Sequence, residues 1–327
     1  MRQIVLEQPG NFQEQFAPPQ AANKGEAFVR VHRIGVCGTD LHAFAGRQPF
    51  FTYPRILGHE LGVEVISAPG NDRGIATGSK CAVEPYISCG HCHACGLGRP
   101  NCCESLQVLG VHCEGGMRPF FGVPVGLLHK SDKLSLDQLA LVETLGIGAH
   151  AVQRSGLRAG EQALVIGAGP IGLAVIQFAQ AAGASVRMLE ISEPRRAFVE
   201  RLGVETMDKF DGRMADVVFD ATGSPPAMEA SFDYPAHGGR LVFVGLAQAR
   251  ISFDDPQFHR RELTVFASRN SCHDFPGIIR MIEEGRIDTA PWITIRMGLA
   301  DVPSQFPLLR QQPNLVKAMI DVRDSDT

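Results

Sequence analysis

Ala163-Leu164-Val165-Ile166-Gly167-Ala168-Gly169-Pro170-Ile171-Gly172 is the stretch on which the fold of this 327-residue chain turns. Four β-type residues run into a Gly-x-Gly-x-x-Gly spacing, and a helical run follows as far as Gly183. By itself the spacing is weak evidence, since a glycine turn can merely pack a helix on a strand. Here a second β-type run, residues 185–190, ends in an acid, Glu190, eighteen residues after Gly172. Strand, glycine turn, helix, strand and terminal acid together are the pattern of a dinucleotide site. The glycines permit a tight turn and close backbone approach, the helix N-terminus faces a pyrophosphate, and Glu190 is placed for the adenosine ribose hydroxyls. Gly167, Gly169, Pro170, Ile171, Gly172 and Glu190 are therefore the cofactor-binding candidates. No charge occurs between Gln162 and Val186, a length that could cross a bilayer at ~20 residues. Gly167, Gly169 and Pro170 interrupt the span, so it reads as a buried strand followed by a buried helix.

Downstream the alternation continues. Helices are expected at 193–202, 226–232 and 275–284, with strands at 204–207, 215–220, 240–244 and 263–267, which makes a doubly wound α/β sheet of about six strands. Only seven residues, 208–214, join the third strand to the fourth. In the usual order these lie three spacings apart, ~14 Å, and the chain must also climb back ~17 Å. Seven residues reach at most ~25 Å. An extended connection or a frayed third strand is expected. Residues 291–297 and 315–322 are again β-like and should return the chain to its first domain, and the Asp-rich tail after Val322 should be loosely ordered.

Upstream the texture differs. Residues 26–32 alternate, with Val29 and Val31 on one face and Arg30 and His32 on the other, and 61–66 is another short strand. Gly and Pro punctuate the region, as in a compact β-rich domain whose ligands sit on loops. Two fragments there carry chemistry: Cys37-Gly38-Thr39-Asp40-Leu41-His42 and Gly58-His59-Glu60. Thiolate and imidazole are good zinc ligands, a catalytic zinc takes about three protein ligands, and a nearby carboxylate completes or exchanges at the site. Either half alone would be structural; together they read as one metal site. Cys89, Cys92, Cys95 and Cys103 form Cys-x-x-Cys-x-x-Cys with a fourth after seven residues, enough to close a tetrahedral structural zinc. An iron and sulfur site or a nucleic-acid-binding zinc module competes, but only Arg99 supplies positive charge nearby. Cys81 and Cys102 receive no role. Glu143 interrupts an apolar run, 139–152; a carboxylate there either faces solvent at a helix start or binds something, and the residues alone leave both open.

Length predicts about two domains. With 44% apolar and 20% charged residues and a net charge of −4, the chain offers no attraction to nucleic acid or anionic membrane, so its partner is a small molecule. Nine cysteines, an odd number, and an N-terminus without an apolar core of signal length fit a reducing cytosol.

With both metal halves, the four-cysteine segment and the glycine turn, the chain resembles the zinc-dependent medium-chain alcohol dehydrogenases, closest the polyol, threonine and sugar-acid branch. The resemblance spans nearly the whole length. It implies a GroES-like catalytic domain over 1–148 and 271–327, with the structural zinc segment at 89–103, and a Rossmann domain over 149–270. It places Cys37, His59, Glu60 and Glu143 on the catalytic zinc, which resolves Glu143 toward binding. Thr39 and His42 match a proton relay, and Asp40 a residue that orients the zinc-bound His. Ser79, where Asp is common, and the shortened crossover are departures that leave the chemistry intact. The implied cofactors are two zinc ions and a nicotinamide dinucleotide, and the implied reaction moves a hydride from a substrate carbinol, in a cleft between the domains, while Thr39 passes a proton through the cofactor ribose toward His42. A homodimer or homotetramer is expected.

Glu190 favours NAD, because a carboxylate repels a 2′-phosphate, while Arg195 and Arg196 just beyond could clamp one; the strand-end carboxylate is given the deciding weight. Arg47, His112, Arg118 and Arg269 are candidates for the substrate, Arg118 and Arg269 foremost. Several cations suit a polyol or aldonate oxidised at a secondary carbon, with threonine or a general alcohol as alternatives. A zinc-stabilised binding protein with a vestigial cofactor fold, or a reductase without catalytic zinc, would leave the relay and the Cys37, His59 and Glu60 set without purpose.

Overall fold

Gln162–Ile166 lies third in a sheet of six strands, ordered Glu205–Met207, Ser185–Leu189, Gln162–Ile166, Ala215–Asp220, Pro235–Phe243 and Thr264–Ala267 in the computed structural model, which describes residues 1–49 and 51–327. Every pairing is parallel. Because the chain runs outward to one side of Gln162–Ile166 and then returns to build the other, the turn after Ile166 sits at the point where strand order reverses. In open parallel sheets that is where ligands bind. Leu164 and Val165 are fully buried, as expected of a strand covered on both faces. The helix Pro170–Ala181 follows with Gly169 as its N-cap and Pro170 in its first turn, where a missing N–H costs nothing.

The thin crossover takes the form its length dictates. The third strand in chain order shrinks to Glu205–Met207, and residues 208–214 carry no helix. The second strand stops at Leu189, so Glu190 stands one residue beyond it.

The chain divides into two compact units, Met1–Glu143 with Phe275–Thr327, and Thr144–Asp274, the first boundary falling inside the helix Leu136–Ser155. In the first unit the main sheet is ordered Leu128–Lys130, Lys80–Val83, Glu60–Ser67, Glu26–Gly35, Lys317–Asp321 and Ile293–Gly298, with Phe120–Pro124 also paired to Glu26–Gly35. Val29 and Val31 face its core while Arg30 and His32 are half-buried. The C-terminal strands thus join the first unit, as the sequence predicts. Strand Glu26–Gly35 pairs Gly35 with Glu60 on one side and with Met319 on the other. This register brings the two metal halves and the C-terminal strand to one place.

One expectation fails. The acidic tail is pinned: Asp326 is 3% exposed and pairs with Arg2, and Asp324 pairs with Arg30. Composition shows its lack of apolar side chains but not the arginines that meet it from strands near the start of the chain. Among the described residues no helix is long and apolar enough to cross a membrane.

Candidate metal centre and cofactor turn

The strand Glu26–Gly35 ends two residues before Cys37, which caps the helix Gly38–Phe44. Asp40, in the first turn, folds back so that its Oδ2 accepts the Cys37 N–H at 2.9 Å. The same carboxylate presents Oδ1 to His59 Nδ1 at 3.8 Å, just beyond hydrogen-bond reach. Asp40 therefore links the two halves of the motif. The ligand atoms of Cys37, His59 and Glu60 lie within 4.8 Å of one another. His59 Nδ1, Asp40 Oδ1 and Glu60 Oε2 are buried without a hydrogen-bond partner among the described residues. Orphaned buried polar atoms are costly unless something binds them. A thiol, an imidazole and a carboxylate converging with unsatisfied atoms fit a zinc ion, with Asp40 able to fix the His59 tautomer from behind.

Electrostatics reflect the crowding. Burial works against a charged His59, but Asp40 and Cys37 outweigh it and hold the ring well above its ordinary pKa. Burial pushes the Asp40 carboxyl up, with the His59 charge opposing. Gly35 is a spatial requirement: a Cβ there would stand 2.0 Å from Glu60 Oε2. Glu60 Oε1 is 2.5 Å from Lys317 Nζ, which also donates to Val36 O at 3.3 Å. Sequence reasoning missed Lys317, although a lone lysine inside the apolar run Val316-Lys317-Ala318-Met319-Ile320 is the kind of anomaly that marks a buried partner.

Glu143 is buried in mid-helix rather than at a helix start, and its Oε1 accepts a hydrogen bond from Tyr86 Oη. It is not part of the three-residue donor group, yet it lies within the electrostatic influence of His59 and Glu60, and burial raises its pKa. Tyr86 also went unread in the sequence. Thr39 and His42 ride on the helix Gly38–Phe44, Thr39 half-buried and His42 exposed. Partial burial and the charge of Arg47 lower the His42 pKa, which keeps the ring neutral and able to accept a proton at neutral pH.

Cys89, Cys92, Cys95 and Cys103 also bring their sulfurs within 4.8 Å of one another. Backbone amides of Cys95 and Glu104 draw the Cys92 thiol down to about 6. Four sulfurs with amide donors around them fit a closed, structural zinc.

Arg118 is buried; its Nε donates to Gly115 O at 3.0 Å and its guanidinium lies 5.0 Å from the Phe121 ring centroid. It follows a segment whose Gly116 and Met117 amides bond to Gly58 and Leu57, beside His59. Arg269 is exposed and belongs to the second unit, and the His112 ring accepts the Val108 N–H at 3.1 Å.

In the second unit, Gly167 has φ +94°, a conformation that side chains disfavour. A Cβ on Gly172 would meet Gly167 O at 1.9 Å, whereas one on Gly169 would meet nothing within 4 Å. Gly172 is thus required by packing and Gly169 leaves open space beside the helix start, a cradle that fits a pyrophosphate. Glu190 braces the turn: Oε2 accepts the Ala168 N–H and Oε1 the Ser192 N–H, each at 2.7 Å. Arg196 spends its guanidinium on the Glu190 and Ile191 carbonyls, and Arg195 is exposed.

Comparison with known proteins agrees with this geometry. The alcohol dehydrogenase GroES-like domain model matches residues 23–133 and the zinc-binding dehydrogenase model matches residues 170–284. L-galactonate-5-dehydrogenase of Escherichia coli is 38% identical over 320 residues, covering 94% of each chain. The chain belongs to the zinc-binding alcohol dehydrogenase family. This dehydrogenase is an oxidoreductase with a GroES-like unit and a Rossmann unit, acting on a small molecule with zinc and a nicotinamide cofactor. Among solved structures, a short chain alcohol dehydrogenase from Escherichia coli complexed with NADH superposes with a TM-score of 0.90 at 26% identity, covering 98% of this chain and 99% of that one. A zinc-binding dehydrogenase from Sinorhizobium meliloti 1021 bound to NADP superposes at 0.89 and 27% identity, covering 98% of each.

Proposed function

We propose that the dehydrogenase oxidises a secondary hydroxyl of a sugar acid or polyol with NAD, using one catalytic and one structural zinc per chain. The convergence of Cys37, His59 and Glu60 with Asp40 behind them carries the reading. Bound at that donor set, zinc supplies a Lewis acid that makes a substrate hydroxyl easier to deprotonate. Cys37, His59 and Glu60 would hold it, with Glu143 as a fourth candidate, and Asp40 would steady the His59 ring. Thr39 accepts the hydroxyl proton and hands it toward His42, whose lowered pKa keeps it ready to receive. Cys89, Cys92, Cys95 and Cys103 hold the second ion and shape the surrounding segment.

Gly167, Gly169, Pro170, Ile171 and Gly172 would cradle the dinucleotide, and Glu190 would accept from its ribose hydroxyls. Arg196 is occupied by backbone carbonyls, which weakens the case for a phosphate clamp and leaves Arg195 as the one candidate of that pair. The likeness to L-galactonate-5-dehydrogenase supports an aldonate. Arg118 is the candidate partner for its carboxylate: it follows the segment bonded to Leu57 and Gly58, and a guanidinium suits two-pronged recognition of such a group. Initial rates with aldonates, polyols, threonine and short primary alcohols test the reading. An aldonate or polyol should give the highest kcat/KM, and a short primary alcohol outperforming all of them would overturn it.

A further inference from the structure

Tyr86 joins the four-cysteine segment to Glu143. It lies in the short strand Tyr86–Ile87, paired antiparallel to Gln107–Val108 with Tyr86 opposite Val108, so the two strands close the base of the four-cysteine segment. Its ring sits in a small buried cluster with Cys103 and Leu106, against which Cys89, Cys92 and Cys95 pack. Its hydroxyl donates to Glu143 Oε1. Tyr86 is 7% exposed and Glu143 5%, so both polar groups lie in a buried setting where an unmade hydrogen bond is costly.

We propose that Tyr86 is a positioning residue through which the four-cysteine segment sets the placement of the Glu143 carboxylate at the single-thiolate centre. The inference rests on the reading that Glu143 faces the catalytic metal. A buried carboxylate needs donors, and the phenol has a single proton to give, which fixes Oε1 and leaves Oε2 as the other donor atom. Glu143 sits in the middle of a helix and is held from outside that helix by this bond. The phenol in turn is only as well placed as its ring, and the ring shares a cluster with Cys103 against which Cys89, Cys92 and Cys95 pack, cysteines whose positions would depend on a metal bound among them. The charges of His59 and Glu60 act on Glu143, so on this reading a shift of the ring that holds Oε1 is carried to the single-thiolate centre. This gives the four-cysteine segment a role in activity beyond local stability.

The test uses the full-length protein with cobalt exchanged into the single-thiolate centre and zinc retained by the four cysteines. Tyr86→Phe keeps the ring and removes only the hydroxyl. It should release cobalt to a chelator about tenfold faster or more and shift the visible cobalt band, as expected when a ligand loses its supporting hydrogen bond, with little change in Tm. Glu143→Ala should also speed release, and the double variant should be no faster than Glu143→Ala alone, since Tyr86 acts through Glu143. Cys95→Ser should speed release in the wild-type background and add nothing to Tyr86→Phe. A Tyr86→Phe protein with unchanged release and spectrum overturns the inference, as do additive effects in the double variant or a Cys95→Ser protein that loses its lobe zinc with cobalt release unchanged. If Glu143→Ala itself leaves release unchanged, the placement of Glu143 at the metal falls as well. Faster release in Glu143→Ala with a silent Tyr86→Phe overturns the role of Tyr86 alone.

Discussion

Lys317 Nζ lies 2.5 Å from Glu60 Oε1, and neither side chain is more than 1% exposed. The lysine comes from the C-terminal strand and the glutamate from the second metal half, so a carboxylate of the candidate donor group already faces a fixed cation. Removing one partner of a buried pair strands the other. In the metal-free protein, Lys317→Met should therefore cost roughly 3–5 kcal/mol, read as a lowered urea midpoint, and saturating zinc should recover part of it. A loss under about 1 kcal/mol would place the pair among those that contribute little.

Gly172 carries the second prediction. A methyl group there would collide with Gly167 O, so Gly172→Ala should deform the turn and abolish tight binding of reduced cofactor, followed by its fluorescence. The metal content should be unchanged, because both donor sets lie in the other unit. Normal cofactor affinity in this variant would mean that the turn is not where the pyrophosphate binds.

Much of this was legible in the sequence because the signals are local. The glycine spacing, the cysteine spacing and the two metal halves each declare themselves within a few residues, and reach alone led to expecting an extended connection or a frayed third strand at the seven-residue crossover. Lys317 and Tyr86 escaped because their meaning depends on partners far along the chain, Glu60 and Glu143. The tail escaped for the same reason, its acids answered by Arg2 and Arg30. Glu143 stood between: binding something was one of its two anticipated outcomes, but nothing local pointed to the phenol that holds it.

The pH dependence should carry the signature of His42. To accept a proton the ring must be neutral, and burial and Arg47 lower its pKa below the ordinary 6.5, so it stays competent into mildly acidic solution. For alcohol oxidation, kcat/KM should fall as pH drops through this lowered value. His42→Asn should lose that inflection and about a hundredfold in rate. An inflection that persists in His42→Asn would assign the proton to another group.

Cofactor choice follows from Glu190. A 2′-phosphate about 4 Å from its carboxylate would cost roughly 1–4 kcal/mol, worth about five- to a thousandfold in affinity. Steady-state kinetics should give a higher kcat/KM with NAD, and Glu190→Gln should narrow the ratio. A preference for NADP would mean that exposed Arg195 outweighs the acid.

Metal content measured beside turnover decides whether two zinc centres with separate duties serve this dehydrogenase. Freshly purified wild-type protein should hold about two zinc ions per chain, one at the single-thiolate centre and one among four sulfurs. Cys37→Ala should keep one, fold normally and turn over nothing, whereas Cys92→Ser should lose stability through its loosened segment. One zinc or none in the wild-type protein, or a Cys37→Ala variant that still oxidises substrate, would contradict the account.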